Sequence, residues 1–401
     1  MIQFNHEEYE RRFAEIARLM RENGVDTLVV SVFQSLLWLM GLSFDPVNRK
    51  VLIVIRRDGD RVVIVPLMEL EHLSQGASHL DFRSYFEHPA PVGLRWEDEL
   101  MRVLENPAKA GKVAVEARGT ADIFGLLHAE KFDVRVTELV DEAQMVKSEA
   151  EMEMMRLSVE YSIFGMSRLF EEVYPGGPIL QAFAIGSEIR EKMIKEGNFD
   201  ALLYYTLTGV WIGPSRFPHG VPDITDRFDT PGSHVLFSFM GVKGYRTEFE
   251  RTVFFDDPTE EQAHHFSLML KARQIVFGML RPGMSCHQIA EKVEAFWSSH
   301  GFSRDQTLHR PGHGFGLQTY HNPPYIALGS PHILEPGMLV SNEPGLYVGG
   351  TYRHSDVILI TKDGYEVLTQ GFPTDLESCI MRDYKPLSRL KGLYIRRAFN
   401  V

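Results

Sequence analysis

The stretch Gly312-His313-Gly314-Phe315-Gly316 decides most about this chain, and a second histidine follows it in His321-Asn322-Pro323-Pro324. Glycines on both sides of His313 allow a neighbouring backbone and a substrate to approach the imidazole closely. The second histidine offers a proton carrier or an orienting hydrogen-bond donor. The pattern therefore predicts a functional site around His313.

Two other segments bring residues of the same kind. Glu343 stands in Ser341-Asn342-Glu343-Pro344-Gly345 at the end of a predicted strand, and His219 stands in Arg216-Phe217-Pro218-His219-Gly220. Histidine and glutamate are frequent general acids and bases in enzymes. A single histidine on a loop rich in proline and glycine proves little alone, so the prediction depends on all three segments occurring in this order.

The sequence also predicts a β-hairpin ahead of the glycine-flanked histidine. Two apolar runs, Val235–Val242 and Tyr245–Phe255, have strand character and are joined at Lys243-Gly244. Glu248 and Glu250 lie in the second run and, being two residues apart, project from the same face of the strand. If that face is open to solvent, both are ordinary surface acids. If it is not, both carboxylates face a site.

Composition limits the classes of protein to which the chain can belong. It has 401 residues, 44% of them hydrophobic, which is enough for two domains. The 54 acidic and 42 basic residues give a net charge of −12, which argues against nucleic acid as a partner. No long apolar run and no basic-then-apolar leader is found, so we expect a cytoplasmic protein without membrane contact. Cys286 and Cys379 are expected to be buried thiols.

Three regions follow from the order of the elements. Helical and strand-like stretches through residues 1–147 predict a self-contained α/β unit. Ser148, with Glu151 three residues later, has the form of a capping box and opens a second domain, 148–381. Residues 382–401 carry six basic residues against one acidic residue and are predicted to form a basic tail. The tail is expected to be solvated or to lie on the acidic body; a contact with a partner or another subunit is the alternative.

The order of these motifs resembles that of the superfamily of methionine aminopeptidase, aminopeptidase P, prolidase and creatinase. The resemblance runs from Met145-Val146-Lys147-Ser148 to Gly364-Tyr365-Glu366-Val367-Leu368. It implies a mixed α/β (α+β) protein with a small N-terminal creatinase/prolidase-type domain and a C-terminal pita-bread domain. It also implies a homodimeric enzyme that acts on a small molecule.

A question about metal ions follows from the resemblance. Metallopeptidases of this fold hold two divalent ions with two Asp, one His and two Glu, and these positions fall here on Ser238, Glu248, His313, Glu343 and Ser355. Serine is a poor ligand for a hard divalent cation, and two such ions need carboxylates to offset their charge. A dinuclear site is not expected. The alternatives are no cofactor, or one divalent ion on Glu248, His313 and Glu343, a ligand number typical of catalytic zinc.

The segment Thr247-Glu248-Phe249-Glu250-Arg251-Thr252 resembles that of creatinase, the metal-independent branch, in which a glutamate directly before Arg-Thr faces the substrate. In this chain that glutamate is Glu250. The resemblance implies that Glu250 and Glu343 bind a cationic amidine or amine through charge-assisted hydrogen bonds. His219 then carries a proton between water and the leaving nitrogen, while His313 and His321 orient the substrate or stabilise an oxyanion.

Departures from creatinase bear on the substrate. The hairpin has Tyr245-Arg246 where creatinase has two tyrosines, and both residues are predicted substrate contacts. Arg49 is a shifted substitute for an arginine that, in creatinase, comes from the small domain of the other subunit. Asn322–Ile333 contains no arginine, although the resemblance leads us to expect one there. Creatine itself is therefore not the expected substrate. A cyclic amidine of the kind opened by ectoine hydrolase, or an N-acyl or N-amidino amino acid, stays open.

We therefore predict a metal-independent, creatinase-like hydrolase that cleaves a C–N bond of a small amidine, amide or amino-acid-derived metabolite. Two alternatives stay open: a mononuclear metallopeptidase acting on X-Pro or other dipeptides, and a non-catalytic pseudoenzyme that binds peptides. The serines at two ligand positions fit a pseudoenzyme. The retained histidines and glutamates favour an enzyme.

Overall fold

The computed structural model describes residues 4–41, 49–77, 79–87, 91, 93–213, 219–220, 222–317 and 321–400. The chain packs as two compact units, the first ending at Gln144 and the second beginning at Met145, close to the predicted boundary after Lys147. Both units combine helices with sheets, which confirms the predicted α/β class.

The first unit alternates helices and strands. Its helices are α1 (His6–Glu22), α2 (Phe33–Met40), α3 (Leu70–Gly76), α4 (Trp96–Leu104), α5 (Pro107–Ala110), α6 (Ala121–Ala129) and α7 (Leu139–Ala143). Its strands are β1 (Thr27–Val30), β2 (Leu52–Arg56), β3 (Arg61–Pro66), β4 (Asp81–Tyr85), β5 (Lys112–Glu116) and β6 (Asp133–Thr137). The strands form one mixed sheet in the order β4-β3-β2-β1-β5-β6. The central strand β1 is buried along its whole length, as expected for a strand covered on both faces.

The second unit contains two sheets. Its helices are α8 (Glu149–Glu172), α9 (Leu180–Lys195), α10 (Glu260–Phe277), α11 (Cys286–Ser299), α12 (Arg304–Thr307) and α13 (Pro386–Phe399). Its strands are β7 (Tyr205–Trp211), β8 (Ser233–Val242), β9 (Tyr245–Thr247), β10 (Glu250–Phe254), β11 (Gly312–Gly314), β12 (Gly316–Leu317), β13 (Asn322–Ile326), β14 (Leu339–Asn342), β15 (Asp356–Ile360) and β16 (Tyr365–Val367). One sheet has the order β10-β8-β9-β12 with β7 beside β8, and the other has the order β13-β11-β14-β15-β16.

Each of these two sheets has its own helices and hydrophobic core. α8 and α9 pack on β7 and β8 around side chains such as Met166 and Leu236. α10 and α11 pack on the other sheet around side chains such as Phe266 and Ile358. Helices that bury one apolar face against a sheet are the usual way for such sheets to be stabilised.

The predicted hairpin is present as β8, β9 and β10. Met240 lies opposite Thr247 and Phe237 lies opposite Glu250, so β9 and β10 share one register against β8. Glu248, between β9 and β10, is 3% exposed, and Glu250 is 1% exposed. The interpretation of these two glutamates as surface acids is therefore wrong.

The glycine-rich segment passes from one sheet to the other. β11 pairs with β13 and β14, whereas β12 pairs with β9 of the hairpin sheet. A Cβ on Gly312 would lie 2.3 Å from the Ser341 carbonyl oxygen, and one on Gly314 would lie 2.2 Å from that of Pro323. Only glycine allows such close approach of two backbones. The segment thus brings its histidine next to residues from both sheets.

Residues 382–401, predicted as a basic tail, contain the helix α13. Gln181 of α9 donates to Ser388 Oγ at 2.6 Å, and Lys391 Nζ donates to Glu188 Oε1, also at 2.6 Å. The segment therefore contacts acidic side chains of the second unit. Within the described part of the chain, no helix is long and apolar enough to cross a membrane. Both cysteines are buried free thiols, as predicted.

Candidate active site

His313 lies in the middle of a buried cluster of histidine and glutamate side chains. Its Nε2 atom is 2.8 Å from Glu343 Oε1 and 3.3 Å from Glu248 Oε1, and its ring is fully buried. Its Nδ1 atom is 3.1 Å from the Gly314 carbonyl oxygen. Because a carbonyl oxygen only accepts, Nδ1 carries the hydrogen, and Nε2 of the neutral ring presents a lone pair to two carboxylates.

This arrangement requires positive charge at Nε2. A lone pair and two carboxylates repel one another in a buried site unless a proton or a metal cation lies between them. When the cation is a proton, burial alone would lower the pKa of His313, but Glu343 and Glu248 raise it to about 10. Burial, together with the charge of Glu343, raises the pKa of Glu248 to about 7.

Serine hydroxyls hold the two carboxylates in place. Ser341 Oγ donates to Glu343 Oε1 at 2.9 Å, and Ser355 Oγ donates to Glu248 Oε1 at 3.1 Å. Ser355 is one of the two serines that the resemblance placed at ligand positions. The other, Ser238, lies opposite Phe249 on the face of the hairpin sheet that packs on α8, where a Cβ on Gly165 would be 2.4 Å from the Ser238 hydroxyl oxygen. Glu248 and Glu250 project from the other face, so the expectation that Ser238 stands at a ligand position of this site is wrong.

His321 stacks on His313 with ring centroids 4.3 Å apart. Its Nδ1 atom is 3.0 Å from an NH2 nitrogen of Arg310, and its Nε2 atom is 4.0 Å from Glu248 Oε2. A guanidinium only donates, so Nδ1 is the acceptor and Nε2 carries the hydrogen. Burial and the charge of His313 lower the pKa of His321 to about 4. At neutral pH His321 is therefore a neutral N–H donor.

His219 lies beside this cluster. Its ring makes an edge contact with Trp211, with centroids 5.2 Å apart, and another with His309, with centroids 6.2 Å apart. The residue is solvent-exposed, but partial enclosure of the ring and the charge of Arg353 lower its pKa. The neutral ring is able to accept a proton, as a shuttle requires. Residues 214–218 of the same motif lie outside the described residues.

Glu250 is close to the cluster but is already paired. Arg353 donates to both of its carboxylate oxygens, at 2.5 and 2.6 Å, and Trp211 Nε1 donates to Oε1 at 3.2 Å. Arg353 also donates to the hydroxyl of Tyr347 at 3.1 Å. Burial alone would lower the pKa of Arg353, but Glu250 outweighs it and raises that pKa well above the usual range. These contacts favour a structural or positioning role for Glu250.

The predicted substrate contacts are engaged elsewhere. Tyr245 is buried and its hydroxyl donates to Glu151 at 3.2 Å. The Arg246 guanidinium lies over the Tyr205 ring, 4.3 Å from its centroid. In the first unit, Arg49 pairs with Glu87 at 2.8 Å and also with Glu69. Their roles toward a substrate stay predictions.

Three residues near the site escaped the sequence analysis. His309 Nδ1 is 3.7 Å from Glu343 Oε2, and burial lowers the pKa of His309 to about 3. Arg310 contacts His321, and Arg353 contacts Glu250. The first two directly precede the glycine-rich motif, and the third stands two residues before Ser355, so proximity to known motif positions was the available signal.

The donor set fits one divalent ion better than two. Glu248, His313 and Glu343 converge on one point with two negative charges and one imidazole lone pair, which balances a single divalent cation. Ser355 brings neither the charge nor the bridging oxygens that a second ion needs, and Ser238 faces away from the cluster. Glu248, His313 and His321 also have ligand atoms within 4.8 Å of one another. However, Nε2 of His321 carries a hydrogen and cannot be a ligand in that state.

Comparison with known proteins connects this geometry to one family. Residues 153–362 match the model of metallopeptidase family M24, and residues 12–157 match that of the Creatinase/Prolidase N-terminal domain. The chain belongs to metallopeptidase family M24. The superfamily indicated by the motifs is thereby confirmed, and so is the combination of a creatinase/prolidase-type domain with a pita-bread domain.

This M24 chain has relatives and structural neighbours along most of its length. It is 27% identical over 376 residues to the probable dipeptidase PepE of Mycobacterium tuberculosis, covering 90% of this chain and 94% of the relative. Dipeptidase PepE from Mycobacterium ulcerans has a TM-score of 0.78 at 23% identity, covering 95% of this chain and 100% of the neighbour. The prolidase from Pyrococcus horikoshii has a TM-score of 0.72 at 20% identity, covering 90% of this chain and 99% of the neighbour. At these identities the two structures show a shared fold.

Proposed function

We propose that this M24 protein is a hydrolase that cleaves a C–N bond of a small peptide-like substrate at a centre with one divalent ion on Glu248, His313 and Glu343. The observation that carries the proposal is the Nε2 atom of His313, which faces two carboxylates while Nδ1 is committed to the Gly314 carbonyl. A lone pair in that position is the arrangement of a metal-ligating histidine with a backbone partner for its other nitrogen.

The family also supports this choice. Relatives named dipeptidase and prolidase favour a peptide bond in a dipeptide, or one before proline, as the scissile bond. These names give no support to the metal-independent, creatinase-like chemistry predicted from Glu250. The contacts of Glu250 do not favour that chemistry either, because Arg353 already pairs with the carboxylate. The predicted absence of any cofactor is likewise unsupported. A divalent ion supplies Lewis-acid polarisation of a carbonyl and makes water a better nucleophile near neutral pH.

The side chains around this centre have separate tasks. The Nε2–H of His321 points from a ring held by Arg310, which suits it to donate a hydrogen bond to a developing oxyanion. Neutral His219 accepts a proton at one stage and returns it to the leaving nitrogen. Arg353 neutralises the charge of Glu250 through an ion pair, so this part of the site, beside His219, carries no net charge from the two side chains.

A second candidate is a metal-free enzyme of the creatinase type. It is favoured by one observation: His313 Nε2 lies 2.8 Å from Glu343 Oε1 and 3.3 Å from Glu248 Oε1, so a proton can replace the metal cation between them. The same two carboxylates raise the pKa of His313 to about 10. In that case His219 still carries the proton, and the substrate is an amidine, amide or amino-acid derivative. In both cases, homodimer formation and a cytoplasmic location stay predictions.

The deciding experiment is metal analysis of the full chain purified without added metal, with turnover measured before and after chelation. The substrates are X-Pro dipeptides, other dipeptides, and creatine-like and ectoine-like compounds. About one equivalent of bound metal with chelator-sensitive dipeptide cleavage supports the proposal. Metal-free, chelator-resistant C–N cleavage supports the second candidate. Absence of metal and of turnover contradicts both and favours a peptide-binding pseudoenzyme.

Matched variants assign the ligands. Glu248→Gln and His313→Asn are expected to lower bound metal to well below one equivalent, because each removes a donor from a three-donor site. Glu335→Gln, at an exposed glutamate outside the cluster, serves as the control and is expected to keep its metal. If the two ligand variants bind as much metal as the control, the ion lies elsewhere.

A further inference from the structure

A cavity of about 550 Å³ lies beside α13. Tyr174, Arg227, Tyr384, Arg389 and Arg396 are among the residues that line it. None of these residues belongs to the cluster around the active-site histidines. The volume is within the usual range for small-molecule pockets.

The wall formed by α13 is firmly attached to the rest of the second unit. Gln181 Nε2 donates to Ser388 Oγ at 2.6 Å. Gly392 lies so close to Tyr174 that a Cβ there would be 2.3 Å from the tyrosine hydroxyl oxygen. The hydrogen bond and this close packing make the wall formed by α13 part of the folded second unit.

The basic side chains near this cavity differ in their partners. Lys391, on the same helix, is paired with Glu188 at 2.6 Å. Across the described ranges, by contrast, no ion pair or side-chain hydrogen bond engages the guanidinium of Arg227, Arg389 or Arg396, and the Nε atoms of the last two are buried. Three uncompensated cations around one cavity repel each other, and an anion between them would relieve that repulsion.

Aromatic rings hold one of these cations in place. The Arg389 guanidinium lies over Tyr174 and over Tyr384, 5.1 and 4.9 Å from the ring centroids. Stacking uses the faces of the planar guanidinium and leaves its N–H edges for a ligand. Leu390 and Leu393, also on the cavity wall, are 63% and 52% exposed and offer apolar surface next to the cations.

We propose that this cavity binds the phosphate group of a small molecule whose remaining part is apolar or aromatic. A phosphate monoester carries nearly two negative charges at neutral pH, and its oxygens match the forked N–H donors of arginine. The apolar part would lie against the leucines and tyrosines of the wall. The proposal is independent of the hydrolase function, because its residues and its test do not involve the active site.

Calorimetric titration of the full chain with adenosine 5′-monophosphate tests the proposal, with adenosine as the uncharged match. We expect the nucleotide to bind more weakly as salt is raised, and adenosine to bind at least about tenfold more weakly. Arg389→Gln with Arg396→Gln is expected to lose about tenfold or more in affinity. Arg397→Gln, an exposed neighbour on α13 that does not line the cavity, is the control and keeps its affinity.

Vesicles distinguish a soluble phosphate ester from a lipid headgroup, which has the same phosphate chemistry. If phosphatidylglycerol vesicles bind the chain, phosphatidylcholine vesicles do not, and the double variant binds neither, the phosphate comes from a lipid. Arg227→Gln, on a different segment from α13, repeats the test if the double variant fails to fold. Equal binding by the double variant and the control, or no binding of nucleotide and vesicles by the unmodified chain, overturns the proposal.

Discussion

Arg353 holds Glu250 with two hydrogen bonds of 2.5 and 2.6 Å, and both side chains are 1% exposed. This bidentate pair satisfies both oxygens of a carboxylate that the sequence had assigned to a substrate cation. Trp211 adds a third donor to the same group. The pair is therefore part of the structural support of the site beside His219. Glu250 is not available in this state as a contact for a substrate cation.

The first prediction concerns this buried pair. Glu250→Gln leaves Arg353 buried without its counter-charge, so we expect unfolding free energy to fall by about 3–5 kcal/mol. Urea unfolding followed by circular dichroism measures the change. Glu366→Gln breaks an exposed pair with Arg156 and is the control, expected to cost about 1 kcal/mol or less. A stable Glu250→Gln protein with a raised KM would restore the substrate-binding role.

The second prediction concerns pH and Asp356. This buried carboxylate is 2.8 Å from Arg251, and Arg273 also contacts it. Burial alone would raise the pKa of Asp356, but the two arginines outweigh it and hold that pKa well below its usual range. A pKa that is lower in the folded than in the unfolded state contributes stability above the unfolded pKa of about 3.9 and loses it as pH falls.

Asp356→Asn is therefore expected to cost about 3–5 kcal/mol of unfolding free energy at pH 7, with the difference from the unmodified chain narrowing below about pH 4. Urea unfolding at several pH values between neutrality and pH 3 measures it. A difference that stays constant over this range would show that the pKa of Asp356 is not lowered by folding.

The sequence predicted the elements that local pattern determines. The hairpin strands were predicted as Val235–Val242 and Tyr245–Phe255, and the structure has strands over Ser233–Val242, Tyr245–Thr247 and Glu250–Phe254. Alternation and a turn at Lys243-Gly244 are local signals, so their agreement is expected. The glycines around His313 were also interpretable, because close backbone approach leaves few other residue types.

Pairing between distant side chains could not be predicted in the same way. Glu250 and Arg353 are about a hundred residues apart, and no periodicity indicates which buried arginine meets which buried glutamate. The same holds for Arg310, whose contact with His321 depends on how the segment before β11 turns. The sequence analysis thus identified most of the histidine and glutamate residues of the site. It did not predict the arginines that pair with them.

His219→Ala is the third prediction. We expect kcat to fall on the order of 10²-fold or more because the variant removes the group that exchanges protons near the leaving nitrogen. Steady-state kinetics on the best substrate of the panel measures it, with bound metal determined on the same sample. His264→Ala, at a histidine on α10 with no place in the cluster, is the control. An unchanged kcat would remove His219 from the mechanism.

The fourth prediction tests the hydrogen on His321. Arg310→Met removes the donor that keeps Nδ1 as an acceptor, so the ring is free to adopt the other tautomer and lose its Nε2–H. We expect kcat to fall about 10- to 100-fold while bound metal stays unchanged. Arg310→Lys, which keeps a donor, should recover part of the loss. If Arg310→Met instead lowers the metal content, His321 is a ligand and the tautomer argument is wrong.

The fifth prediction asks whether a serine explains the expected single ion. The resemblance places a carboxylate ligand at Ser355, whose hydroxyl is already in contact with Glu248. Ser355→Glu is expected to raise bound metal above about one equivalent, because the new carboxylate supplies charge and a bridging oxygen beside Glu248. Metal analysis after dialysis against Mn²⁺ measures it. Ser355→Gln adds similar volume without charge and is the control; if both variants fold and bind the same amount of metal, the ligand position has been assigned wrongly.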